Sequence, residues 1–214
     1  IYGSYPDILN QSTDTQMLLR NLTDSYLYKD ILATENLRKP DLLDKLLRAL
    51  AYQVGSEVSY NELAQTVGSD SKTVEKYIEL LEKCFIIFRL NGLSRNLRNE
   101  LKKAKKIYFY DNGIRNAVIQ QFAPLEMRND VGALWENFFI SERIKRNHYQ
   151  QHYCNMYFWR TQSQQEIDYI EERDGMMTVF EMKWNPKKAN TTIPEAFLKA
   201  YHIKETAIIT PENY

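Results

Sequence analysis

Apolar positions three and four residues apart dominate the first third of the chain. From Asp14 to Ile31 they place Met17, Leu18, Leu22, Tyr26 and Leu27 on one helical face, and from Asp41 to Val54 they do the same with Leu42, Leu43, Leu46, Leu47, Leu50 and Val54. Pro40 suits the entry to that second helix. Ser59-Tyr-Asn-Glu62 forms a capping box that opens a short helix running to Val67. Gly68 to Ser71 makes a turn, and Lys72 to Cys84 carries Val74, Tyr77, Ile78, Leu80 and Leu81 at helical spacing. The pattern then shifts to short apolar runs, and Phe85 to Leu90 and Lys106 to Tyr110 predict two strands. A short helix, a tight turn, a longer helix and a two-stranded ribbon are the parts of a winged helix-turn-helix.

The second half alternates differently. Apolar residues at 134, 135, 138, 139, 140 and 144 predict a buried helix from Leu134 to Ile144, with Glu136 in its first turn. Tyr157 to Arg160, Glu166 to Glu171 and Thr178 to Lys183 predict three strands, the last two joined at Asp174-Gly175 by a hairpin turn. Pro194 to Tyr201 reads as a helix and Thr206 to Thr210 as a final strand. The expected fold is α/β: N-terminal helices and a winged helix-turn-helix, then an αβββαβ domain. The corresponding segments are 1–40, 41–112 and 113–214.

The third predicted strand brings in chemistry. Glu181 and Lys183 are two apart, so both leave one face, and Asp168 on the preceding strand can meet them. Two carboxylates about 4 Å apart repel by roughly 1 to 4 kcal/mol, depending on screening, and a divalent cation removes that cost. Asp168, Glu181 and the backbone carbonyl of Met182 offer it oxygen ligands, and Lys183 stands ready to orient a water or to offset charge on a phosphate. The plainer reading of Glu181 and Lys183 is a surface ion pair.

In this order of elements, Gly132 to Thr210 resembles the PD-(D/E)XK nuclease superfamily, and the resemblance implies a restriction-endonuclease-like αβββαβ domain. Glu136 matches its first-helix glutamate, Asp168 its second-strand aspartate, and Glu181 with Lys183 the E-x-K of its third strand. That resemblance implies catalysis by Glu136, Asp168, Glu181 and Lys183 with Mg2+ or Mn2+, on nucleic-acid phosphodiesters. A second resemblance rests on Tyr2-Gly-Ser-Tyr-Pro-Asp7, Ser25-Tyr-Leu-Tyr-Lys-Asp-Ile31, Ile107 to Asn116, Trp135-Glu-Asn137 and Tyr157-Phe-Trp-Arg-Thr161. These look like the domain of unknown function 4143 family across nearly the whole chain, and they imply an AAA-type ATPase module in the same polypeptide. The 214 residues hold no G-x-x-x-x-G-K-[ST], so ATP would bind only in that separate module. A start at Ile1 instead of Met suggests an excised piece.

Charge bears on partners. Twenty-eight basic residues balance 28 acidic ones, so any contact with DNA must come from local patches. One is Lys72, Thr73 and Lys76 at the start of the longer helix; the other is Arg95, Arg98, Lys102, Lys103 and Lys105 in the ribbon connection. The alternative is that these charges solvate a loop and that the winged helix packs on protein. No apolar run reaches 20 residues and no signal-peptide pattern opens the chain, so a cytoplasmic protein without a membrane span is expected. Cys84 and Cys154 read as reduced core thiols, His148 and His152 as a solvated helix end, and Trp159 as core.

Overall fold

The computed structural model describes residues 1–10, 14–24, 40–94, 105–161, 163–188 and 192–214. Within them the chain forms eight α-helices and seven strands divided between two units. The first unit comprises Ile1–Arg89 and Ile107–Asn129, and the second Leu90–Lys106 and Asp130–Tyr214.

The first unit holds α1 (Pro6–Asn10), α2 (Thr15–Leu22), α3 (Pro40–Tyr52), α4 (Tyr60–Val67), α5 (Ser71–Lys83) and α6 (Asn112–Val118). It also holds β1 (Glu57–Val58) and the adjoining parts of β2 (Ile87–Gly92) and β3 (Lys105–Phe109), in the order β1-β3-β2. The predicted leucine stripe of α3 is buried, as are Leu63 and Val67 of α4 and Val74, Ile78 and Leu81 of α5. Ser59 Oγ accepts from the Glu62 N–H, which gives α4 its N-cap, and Gly68 ends that helix in the left-handed conformation, φ 71°. Asp70 then caps α5 by accepting from the Thr73 N–H at 2.9 Å.

Two expectations shift here. The strand predicted from Phe85 begins at Ile87, because Phe85 adopts φ 55° and leaves its ring 70% exposed. The helix predicted over 14–31 is formed at Thr15–Leu22, and positions 25–31 lie outside the described residues.

The second unit holds α7 (Val131–Tyr149), β4 (Asn155–Arg160), β5 (Glu166–Arg173), β6 (Met176–Met182), α8 (Glu195–Ala200) and β7 (Ile203–Ile209). Its strands run β2-β4-β5-β6-β7: β4, β5 and β6 are antiparallel, while β2 joins β4 and β7 joins β6 in parallel. Asp174 (φ 53°) and Gly175 (φ 77°) both take positive φ, as a tight two-residue hairpin demands. One side of the sheet presents Tyr169 and Phe180 to Phe139 of α7, with Phe139 and Phe180 centroids 5.5 Å apart. Ile170 and Val179 join the cluster built on Phe197 of α8, where Trp159 meets Phe197 edge-on at 5.2 Å.

The helix α7 starts earlier and ends later than its apolar pattern predicts, so Glu136 lies in its second turn. Buried Asn137, Ser141 and Asn147 interrupt that pattern. The last strand likewise begins at Ile203 instead of Thr206. No described helix is long and apolar enough to cross a membrane.

Candidate functional site

Strand register builds the centre of the site. Tyr169 pairs with Phe180 across β5 and β6, and one more step in that register sets Asp168 opposite Glu181. The Met182 N–H donates to Asp168 Oδ2 at 2.9 Å, fixing the aspartate at the strand end. Lys183 Nζ lies 2.7 Å from Glu181 Oε2 and 3.7 Å from Asp168 Oδ2. Three of the four predicted catalytic side chains therefore meet.

Glu181 is 4% exposed, and its Oε1 is the buried side-chain oxygen left without a hydrogen-bond donor among the described residues. Burial and the neighbouring Asp168 push its pKa up to about 7, against the pull of Lys183. Burial works against the charge of Lys183, yet Asp168 and Glu181 outweigh it and hold that pKa above its usual value.

Glu136 is placed differently. The one group of three His, Cys, Asp or Glu ligand atoms within 4.8 Å of one another among the described residues lies elsewhere, so Glu136 does not close on Asp168 and Glu181 at that spacing. Its Oε1 instead stands 3.4 Å from Lys106 Nζ, which also contacts Glu166 Oε1 at 2.6 Å. Lys106 is 3% exposed at the start of β3 and lies over the Phe158 ring, 5.3 Å from its centroid. Burial disfavours its charge, but Glu136, Glu166 and Asp168 together raise its pKa. No spacing rule singles out this lysine, because its partners are 30 or more residues away in the chain. The one local hint is that it is the second of two lysines opening an otherwise apolar strand.

The group of three is His152, Cys154 and Glu171. Arg143 pairs with both carboxylate oxygens of Glu171 at 2.8 Å, while Asn147 and Tyr169 also donate to Oε1. His152 Nδ1 contacts Arg173 at 3.0 Å, and burial pushes the Cys154 thiol up to about 11. A carboxylate so fully satisfied and a thiol kept protonated describe a structural network better than a metal site. Both cysteines are half-buried and unbridged, a correction to their expected place in the core.

Of the residues expected at nucleic acid, Lys72 and Lys76 are exposed on α5, interleaved with exposed Glu75 and Glu79. Thr73 is committed to the cap, its hydroxyl donating to Asp70 Oδ2 at 2.7 Å. Lys105 opens β3 instead of lying in the connection, and Arg95, Arg98, Lys102 and Lys103 lie outside the described residues. Arg160 is exposed beside Gln164 and Glu166.

Comparison with known proteins divides the chain in two. Residues 1–125, more than half its length, match the family described as Domain of unknown function (DUF8612). The chain belongs to the DUF8612 family. Residues 131–214 match Domain of unknown function (DUF4143), a domain known from AAA-ATPase-associated proteins. The DUF4143 likeness expected across nearly the whole chain is thus confined to its second part. Similar curated proteins include uncharacterized protein Mb2031c of Mycobacterium bovis and uncharacterized protein Rv2008c of Mycobacterium tuberculosis, each 25% identical over 77% of this chain. An uncharacterized protein of Haemophilus influenzae is 25% identical over 55% of it. The aligned part spans 37% of the length of each mycobacterial relative and 31% of the Haemophilus one. No solved structure matches the chain.

In the DUF8612 part, the motif segments Tyr2–Asp7 and Ile107–Asn116 close on each other. The Ser4 N–H donates to Asp111 Oδ2 at 2.7 Å, while Asp111 Oδ1 caps α6 through the Ile114 N–H. A Cβ on Gly113 would come 2.2 Å from the Tyr2 carbonyl oxygen, and one on Gly3 would come 2.0 Å from Asp111. Only glycine admits that approach.

Proposed function

We propose that the second unit is a PD-(D/E)XK-type nuclease that binds Mg2+ or Mn2+ and hydrolyses DNA phosphodiesters. The carrying observation is Glu181 Oε1, a buried oxygen without a donor beside Asp168, with Lys183 bridging the two carboxylates. This donor set fits a hard divalent cation: carboxylate oxygens of Asp168 and Glu181 and the Met182 carbonyl would hold it. When bound, such an ion polarises the phosphate and makes a water acidic enough to attack it. The chain's own residues prepare that attack. The Met182 N–H fixes the Asp168 carboxylate, and the Lys183 ammonium faces the negative charge that grows on the phosphate as water adds and the P–O bond breaks. The order α7-β4-β5-β6-α8-β7 supports the nuclease reading.

The same reading casts α4, α5, β2 and β3 as a winged helix and sets the chain beside an AAA-type ATPase module in a cytoplasmic protein. Incubating the full chain with supercoiled and single-stranded DNA in Mg2+ or Mn2+ tests it. Cleavage should fall by roughly two to three orders of magnitude in Asp168→Ala and in Lys183→Ala, with the far-UV spectrum unchanged. Equal cleavage by the variants overturns the assignment.

A second reading, a DNA-binding module without hydrolysis, is favoured by the exposure of Lys72 and Lys76 on α5. It is the better account if no metal supports cleavage while Lys72→Ala and Lys76→Ala weaken duplex binding and flatten its salt dependence.

A further inference from the structure

Four carboxylates reach the acidic cluster, from Glu136 of α7, Glu166 and Asp168 of β5 and Glu181 of β6, and two ammonium groups stand among them. Lys183 serves the pair Asp168 and Glu181, whereas Lys106 serves the pair Glu136 and Glu166. Counted as ionised, the six side chains carry an excess of two negative charges, and Arg160 stands 3.9 Å from Glu166 at the exposed edge of the cluster. A single divalent ion is enough to cancel that excess. A second would leave at least two uncompensated positive charges in a largely buried place, where charge is poorly screened.

We infer that Lys106 takes the position a second cation would otherwise fill, so that the cluster accepts one divalent ion, at Asp168 and Glu181. The geometry supports this at three points. Lys106 Nζ stands between carboxylates from two different elements, 2.6 Å from Glu166 and 3.4 Å from Glu136. The Phe158 ring lies beneath it, a contact that favours a cation. Glu136, held this way, does not gather with Asp168 and Glu181 at ligand spacing. Lys106 is therefore a positioning residue: it turns Glu136 and Glu166 into fixed neighbours of the ion and leaves the oxygens of Asp168 and Glu181 as its ligands.

The inference rests on the metal-dependent reading above, and one titration separates the two. Calorimetric titration of the full chain with Mn2+ should give one ion per chain in the wild type, one in Lys106→Arg, one in Glu136→Gln and two in Lys106→Gln. A count of two in the wild type overturns the inference alone and leaves the nuclease reading standing. So does an unchanged count of one in a Lys106→Gln protein that melts cooperatively. If Lys106→Gln fails to fold, Glu136→Gln decides: a count falling from one to zero makes Glu136 a ligand of the ion and rejects the role given to Lys106. A wild-type count of zero rejects the metal reading and this inference with it.

Discussion

Glu181 is at odds with its surroundings until a positive charge reaches its second oxygen. Its raised pKa has a consequence for the metal-free protein. Below the ordinary carboxylate range Glu181 is protonated both folded and unfolded and contributes nothing to pH dependence. As pH rises towards about 7 the unfolded chain ionises first, so stability is lost across that window. Glu181→Gln should therefore stabilise the chain at pH 8 in EDTA by roughly 1 to 3 kcal/mol and have little effect at pH 4, as read by urea unfolding. Equal effects at both pH values would reject the buried, proton-hungry carboxyl. Asp168, Glu181 and Lys183 are legible in the sequence because alternation along a strand puts 181 and 183 on one face, and a hairpin turn at 174–175 sets the register that brings 168 across. Lys106 is not. A lysine beside another at a strand start resembles any edge charge, and its meaning comes from α7 and β5, which no local pattern connects to it.

Among the elements, the helices with clean leucine or valine stripes, α3, α4 and α5, are legible to within about two residues, and α4 and α5 have local caps: Ser59, Gly68 and Asp70 act within four positions of themselves. α7 is longer than its apolar stripe because Asn137, Ser141 and Asn147 are buried, and Asn147 finds its partner in Glu171 of β5. Such polar burial cannot be told from exposure in sequence. α6 depends most on its surroundings. Its cap, Asp111, also accepts from Ser4, and its first turn passes under the Tyr2 carbonyl at Gly113. Gly113→Ala should lower stability by about 1 to 3 kcal/mol in thermal or urea melts, because the obstacle is backbone and cannot rotate away. Gly132→Ala is the matched control, since nothing lies within 4 Å of a Cβ there. Equal losses at the two glycines would show that the close approach is not what matters.

For the whole chain, the division into units does not follow the division by family. The DUF4143 match begins at residue 131, while the unit that contains it also takes in Leu90–Lys106. Leu93 from that earlier stretch donates to the Phe158 carbonyl at 2.7 Å and packs with Trp159, Ile167 and Phe197. β2 pairs with β4, and Lys106 neutralises two acids. An excised piece covering residues 131–214 would therefore carry an open β4 edge, a missing hydrophobic wall and the carboxylates of Glu136 and Glu166 without the Lys106 ammonium. Expressed by itself, it should show no cooperative melt, or melt well below the intact chain; a transition matching the parent's would show that it is self-sufficient. The practical boundary for truncation lies upstream of residue 90, well short of where sequence kinship would have a molecular biologist cut.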